Sequence, residues 1–210
     1  MMPQIEVPIK IGSQGQKPQY ASLHAAGCDL FATADLVLLP GQARIMPLDL
    51  IIALPEGTEA QIRPRSGLSL KTDLRVPNSP GTIDADYRNP VGVILQNTFN
   101  PAVLPSLIAA RPALLDEILQ THRPVSLKDL LADHPRFADP ALADLLATTV
   151  FLDDNNNPYG TIYLHQGDRI AQMVVSHHER ADFVDHPAPE TIGIDRGGGF
   201  GSTGHREIQG

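Results

Sequence analysis

Val76-Pro77-Asn78-Ser79-Pro80-Gly81-Thr82-Ile83-Asp84-Ala85-Asp86-Tyr87-Arg88-Asn89-Pro90-Val91 sets turn residues between β-formers. Such a stretch predicts a hairpin, which presents backbone donors and acceptors at its tip. Asp84 and Asp86 stand at alternate positions, so an extended strand running through both would point them to one face. Paired carboxylates occur on many surfaces, and the pair alone defines no chemistry.

Working outward, the chain up to about Asn97 reads as β-structure. Short apolar or alternating runs at 5–11, 35–39, 44–54 and 91–96 are separated by Gly, Pro and Asn. Many short strands at close spacing predict a sandwich or barrel rather than βαβ units. From residue 99 to 157 Leu and Ala dominate. Pro112 opens a helix through 113–119, Ser126 is placed to cap one at 127–131, and Asp139-Pro140 precedes another at 141–147. Each is too short to be stable without tertiary packing. The polar run Asp153-Asp154-Asn155-Asn156-Asn157-Pro158 then leads back to β-structure at 161–164 and 169–175. The domain reading is a mainly β body (1–98 and 158–186), a helical insertion (99–157) and a flexible C-terminal arm (187–210).

The 210 residues carry a formal net charge of −8, which argues against a broad grip on nucleic acid. A small anion is still within reach of clustered arginines and backbone amides. One cysteine, Cys28, excludes an intramolecular disulfide, the start has no signal-peptide pattern, and no apolar run approaches a membrane span. The expectation is a cytoplasmic protein with no membrane contact. His177-His178 lacks the spacing of a metal motif, and the eight histidines read as surface residues.

Three further stretches carry candidate chemistry. In Ala26-Gly27-Cys28-Asp29-Leu30-Phe31-Ala32, Asp29 is either a satisfied structural carboxylate or a ligand for a cation, and Cys28 lacks a neighbouring base and reads as a packing residue. Pro64-Arg65-Ser66-Gly67-Leu68-Ser69-Leu70-Lys71 supplies a guanidinium fork, a hydroxyl and amides to a phosphate chain, or starts a helix capped by Ser66, or both. In Gly167-Asp168-Arg169-Ile170-Ala171-Gln172-Met173-Val174-Val175, Gln172 sits inside an apolar run and must find hydrogen-bond partners in the fold or in a ligand. The tail Arg196-Gly197-Gly198-Gly199-Phe200-Gly201-Ser202-Thr203-Gly204 reads either as a disordered terminus or as an arm that orders over phosphate.

In this order the stretches resemble the five motifs of the homotrimeric dUTPase family, everywhere except the helical insertion. The resemblance implies a jelly-roll or distorted β-barrel with an inserted α-helical segment. It implies hydrolysis of dUTP to dUMP and pyrophosphate with Mg²⁺, limiting uracil in DNA and supplying dUMP for dTMP synthesis. Asn78, Gly81, Thr82, Ile83 and the strand around Gly92 would read uracil, and buried groups arranged for uracil would be left unpaired by cytosine. Tyr87 would pack on the deoxyribose and Asp84 would be the general base. Arg65, Ser66, Gly67 and Gln172 would contact phosphates, and Asp29 would reach Mg²⁺ through water. Arg196, Phe200, Gly201 and Ser202 would belong to an arm closing over a site between subunits of a homotrimer.

Two departures from the family pattern stand out. The fifth motif is one residue short between Arg196 and Phe200, and the insertion far exceeds an ordinary connection. The insertion reads either as peripheral decoration or as an element that binds an unknown protein or covers the site. A related fold, dCTP deaminase, carries a glutamate in the strand after its third motif, which Val91-Gly92-Val93-Ile94-Leu95-Gln96-Asn97 lacks. A nucleotide-sensing binder without turnover is the other alternative, against which the presence of Asp84, Arg65, Ser66 and Tyr87 weighs.

Overall fold

The structure is a computed structural model that describes residues 4–134, 139–195 and 197; the expected arm residues Arg196, Phe200, Gly201 and Ser202 lie outside them. Strands β1 (Ile9–Ile11), β2 (Gln19–Tyr20), β3 (Cys28–Phe31), β4 (Leu36–Leu38), β5 (Ala43–Pro47), β6 (Leu50–Ile52) and β7 (Thr58–Arg63) come first. Helix α1 (Ser66–Lys71) is followed by β8 (Leu74–Arg75), β9 (Gly81–Ile83) and β10 (Gly92–Asn97). Next come α2 (Leu104–Ala110), α3 (Ala113–Leu119), β11 (Arg123–Ser126), α4 (Leu127–Leu130), α5 (Ala143–Leu146) and β12 (Thr149–Leu152). The chain returns through β13 (Ile162–Leu164) and β14 (Arg169–His177).

The fold is mainly β and jelly-roll-like. A five-stranded sheet in the order β2-β3-β14-β7-β9 and a three-stranded sheet β5-β10-β8 are accompanied by the separate two-stranded pairs β1-β6, β4-β13 and β11-β12. Among the described residues these sheets do not close into a barrel. Period-two alternation fixes their faces: Thr58, Ala60 and Ile62 of β7 are buried between less buried neighbours, as are Val93, Leu95 and Asn97 of β10. One core collects Leu30, Leu38, Leu48, Ile52, Val93, Leu95 and Ile170, each at most 2% exposed. Each such aliphatic side chain contributes about 1.5–3 kcal/mol by leaving water.

Register sorts the five-stranded sheet into core and site rows. Met173 of β14 stands opposite Cys28 of β3 and Ile62 of β7, and all three are buried. One residue along, Gln172 stands opposite Asp29 and Arg63. Successive side chains alternate faces, so this polar row lies on the side away from the core.

The third motif departs from the hairpin expectation. β9 pairs with β7 in the five-stranded sheet, whereas β10 pairs with β5 and β8. The two runs bury their apolar residues in different sheets, and residues 84–91 form the connection between them. β9 ends at Ile83, and the Tyr87 amide donates to the Asp84 carbonyl at 3.1 Å, closing a turn. Asp84 and Asp86 therefore lie in a turn, and strand alternation does not place them on one face.

Within 99–157, α3 begins after Pro112. Ser126 accepts from the Lys128 amide at 3.1 Å at the start of α4, and Asp139 accepts from the Ala141 amide at 3.0 Å before a 3₁₀ turn that runs into α5. The segment also holds elements the sequence did not predict: α2, with its preceding 3₁₀ turn Pro101–Val103, and the β11-β12 hairpin. Leu104, Leu114 and Ile118 make a small core of their own, against which Phe99, Ile108, Phe151 and Tyr159 pack.

Contacts divide the chain into Met1–His178 and Glu179–Gly210. The described part of the second unit contains a 3₁₀ turn at Pro189–Thr191 and exposes Phe183, Val184, Ile192 and Ile194.

Candidate active site

Asp29 of β3 sits at the centre of the polar row. Its Oδ1 accepts from Arg65 Nε at 2.9 Å and its Oδ2 from Arg169 Nη1 at 3.3 Å. Arg65 Nη1 also donates to the Arg169 carbonyl at 3.3 Å, so the three side chains tie β3, the end of β7 and the start of β14 together. Asp29 is 14% exposed, against 26% for Arg65 and 54% for Arg169, so the carboxylate is enclosed while the guanidinium groups reach outward. The sequence signals Gln172 in this motif, as a polar residue in an apolar run, and carries no comparable signal for Arg169.

Gln172 finds its partner in the fold: its Nε2 donates to the Pro64 carbonyl at 2.9 Å, steadying the backbone next to Arg65. Gly27 makes room for that amide, because a Cβ there would lie 2.6 Å from Gln172 Oε1. Arg65 occupies the N-cap position of α1 in extended conformation without a side-chain cap, so Ser66 is the first helical residue rather than the cap. Ser66 is exposed and its hydroxyl has no hydrogen-bond partner among the described residues. A Cβ on Gly67 would meet nothing within 4 Å. With only six residues, α1 adds little field of its own, and the positive character here comes from the guanidinium groups.

The third motif forms a second group. Gly81 lets Asn78 approach, since a Cβ on Gly81 would lie 2.8 Å from Asn78 Nδ2. Thr82 is exposed between the buried Gly81 and Ile83. Asp84 is exposed, and its carboxylate makes no hydrogen bond or ion pair among the described residues. The Tyr87 hydroxyl donates to the Pro90 carbonyl at 3.1 Å, holding the ring across the turn with 39% of the residue exposed. Gly92 opens β10 where a Cβ would meet Ile45 Cγ2 at 2.8 Å. β7 carries both groups: β9 pairs along one edge, β14 along the other, and Pro64-Arg65 continues from its end. Among the described residues, no hydrogen bond or ion pair joins Asp84 to the Asp29 cluster.

Cys28 belongs to the core. Burial pushes its thiol above the usual range, and the thiol donates to the Met173 carbonyl at 3.3 Å. A thiol kept protonated is a poor nucleophile. Among the described residues no three His, Cys, Asp or Glu side chains converge to hold a metal. No described helix is long and apolar enough to cross a membrane.

The described body thus carries two polar groups on one sheet, an enclosed carboxylate bracing two arginines and a strand-and-turn with an exposed aspartate. The dUTPase family model matches residues 13–104. The deoxyuridine 5′-triphosphate nucleotidohydrolase of Clostridium tetani (strain Massachusetts / E88) is 50% identical over 97 residues, covering 46% of this chain and 67% of that protein. Among solved structures, the dUTPase of Staphylococcus bacteriophage 80alpha with dUpNHpp has a TM-score of 0.66 at 20% identity, covering 95% of this chain and 99% of that one. A mutant dUTPase of the S. aureus phage phi11, described with a structural Mg(II) ion, has a TM-score of 0.60 at 20% identity over 88% and 99% of the two chains. The phi11 enzyme was also described with a species-specific insert, with a TM-score of 0.59 at 18% identity over 89% and 99%. The chain belongs to the dUTPase family, enzymes of nucleotide metabolism that act as dUTP diphosphatases.

Proposed function

We propose that this chain hydrolyses dUTP to dUMP and pyrophosphate by in-line attack of water on the α-phosphorus, in a homotrimer whose sites lie between subunits. The observation that carries the reading is the Asp84 carboxylate, exposed, uncommitted and held in a turn one residue beyond β9. Asp84 orients the water and takes its proton. Asn78, Gly81, Thr82, Ile83 and Gly92 present backbone and amide groups to uracil, and Tyr87 packs against the deoxyribose, where a ribose 2′-hydroxyl would collide. Arg65, Ser66, Gly67 and Gln172 position the phosphates, and Arg196, Phe200, Gly201 and Ser202 of the arm close over them. Phosphoryl transfer of this kind needs placement and charge neutralisation rather than an enzyme nucleophile.

Mg²⁺ fits this site as an ion carried by the triphosphate. Among the described residues the donor set offers no protein cage, while Asp29 keeps lone pairs beyond those used by its arginines and would accept from a water carried by the ion. When bound, the ion neutralises charge on the phosphate oxygens. The product dUMP serves dTMP synthesis, and removal of dUTP limits uracil in DNA.

The test is pyrophosphate release from dUTP with and without Mg²⁺, by wild type and Asp84→Asn. Wild type should turn over, and Asp84→Asn should lose about 10²–10⁴-fold in kcat, the range a general base supplies. An Asp84→Asn variant as fast as wild type removes the base assignment. Wild type that binds dUTP and releases nothing is a nucleotide sensor instead.

A further inference from the structure

We propose that Arg169 is a second phosphate-binding guanidinium of the candidate site, and that Asp29 is the positioning residue holding Arg65 and Arg169 side by side. The proposal rests on the dUTP-hydrolysis reading for the identity of the ligand; its geometry comes from the sheet.

The observation behind it is a break in register. Gln172 pairs with Asp29 and Ala171 with Leu30, but Arg169 pairs with Phe31, leaving one extra residue in β14. In an unbroken strand, Arg169 and Gln172, three apart, would face opposite sides of the sheet. The bulge reverses that: Phe31 and Asp29 are two apart on β3, so Arg169 opposite Phe31 shares their face. Ile170 and Ala171 are both buried in succession, at 1% and 0% exposure, as the shift requires. Bulges re-aim side chains next to active sites at the expense of a ladder hydrogen bond. This one brings the Arg169 guanidinium to the Asp29 carboxylate that also holds Arg65.

The charge balance favours an anion. One carboxylate between two guanidinium groups leaves a local excess of one positive charge on a chain of net charge −8. A guanidinium has five N–H donors. Asp29 and the Arg169 carbonyl occupy few of those on Arg65 and Arg169, whose side chains are 26% and 54% exposed. Paired, pre-placed forks suit adjacent phosphates of a polyphosphate; a single phosphate engages them less fully and a nucleoside not at all. Asp29 touches no phosphate in this arrangement; apart from its contact with a water carried by Mg²⁺, it acts through the two arginines.

The test measures affinities of wild type, Arg169→Gln, Asp29→Asn and the double variant for the α,β-imido analogue of dUTP and for dUMP. Arg169→Gln should weaken the analogue about 10–100-fold, the equivalent of one charged hydrogen-bond pair, and weaken dUMP less than about threefold. Asp29→Asn releases both guanidinium groups and should weaken the analogue at least as much, and the double variant should be little worse than Asp29→Asn alone, because Arg169 has already lost its position there. Arg169→Lys keeps the charge and stem as a control for folding. It should still lose about tenfold for the analogue, since an ammonium does not bridge carboxylate and phosphate as a fork does. Equal loss for analogue and dUMP, unchanged affinity in Arg169→Gln or Arg169→Lys, or independent effects of Asp29 and Arg169 would each overturn the proposal. If wild type binds the analogue but releases no pyrophosphate from dUTP, the hydrolytic reading fails while the variants' affinities still decide the role of Arg169.

Discussion

Gly27 shows how much of the site depends on space rather than on a functional group. Its backbone has no positive φ, yet a Cβ would press on the Gln172 amide at 2.6 Å. That amide is the far end of a flexible side chain, so Gly27→Ala is expected to displace it rather than unfold the sheet. The Gln172–Pro64 hydrogen bond would break, costing about 0.5–1.5 kcal/mol, and the backbone beside Arg65 would lose its brace. The expected outcome is a KM for dUTP raised roughly 3–10-fold, a Tm lowered by a few degrees at most, and kcat little changed; steady-state kinetics with thermal unfolding checks this. The motif residues were legible because their chemistry is local: a guanidinium beside a hydroxyl, an amide in an apolar run. Arg169 was not, because its face is set by a bulge that exists only once β14 has paired with β3. The turn at Asp84 escaped for the same reason, since whether β9 continues through 84–86 is decided by its partner β7.

At the level of elements, the root of the inserted segment hangs on Asn97, the last residue of β10. It is fully buried, donates through Nδ2 to the carbonyls of Leu38 at 3.0 Å and Gly160 at 2.8 Å, and accepts from the Phe99 amide at 3.0 Å. One side chain thus joins the start of the insertion, its end and β4. Gly160 completes the joint: its φ of +89° suits glycine, and the Phe99 ring fills the space where a Cβ would sit. Phe99 then stacks edge-on against Tyr159 at 5.6 Å. Asn97→Ala leaves buried backbone groups unpaired and is expected to cost about 2–4 kcal/mol, read as a lowered urea midpoint with unchanged slope. A loss below about 0.5 kcal/mol, the scatter of surface substitutions, would show the joint to be slack. The sequence foretold the helix starts at Ser126 and Asp139 because caps are local hydrogen bonds. It missed the β11-β12 hairpin, whose strands are separated by residues 127–148 and one of which contains Pro124. Pro101 and Pro105 similarly masked the 3₁₀ turn and α2, where each stands near a helix start.

Across the Met1–His178 unit, two apolar cores coexist without sharing a buried residue. The larger draws Val93 and Leu95 from before the insertion and Leu164, Ile170, Ala171 and Met173 from after it, so the β-body closes on itself over the gap. Every described residue of the candidate site comes from β3, β7, α1, β9, β10, β14 or the connections beside them, and none from 99–157. The Asn97–Gly160 hydrogen bond shows that the two ends meet, so a short Gly-Ser linker in place of residues 99–159 spans them without strain. That excision removes the small core together with Phe99, Ile108, Phe151 and Tyr159, which pack against it, and takes no buried residue from the larger core. The shortened chain is expected to fold cooperatively and to hydrolyse dUTP with kcat/KM within about threefold of the full chain, a difference below 1 kcal/mol in transition-state binding. Pyrophosphate release and calorimetry on the two proteins decide the matter. A retained fold with a tenfold or greater fall in kcat, about 1.4 kcal/mol, would mean that the insertion helps close the site. Retained turnover would leave the insertion as a separately packed addition, attached at one joint to a β-body that carries the chemistry.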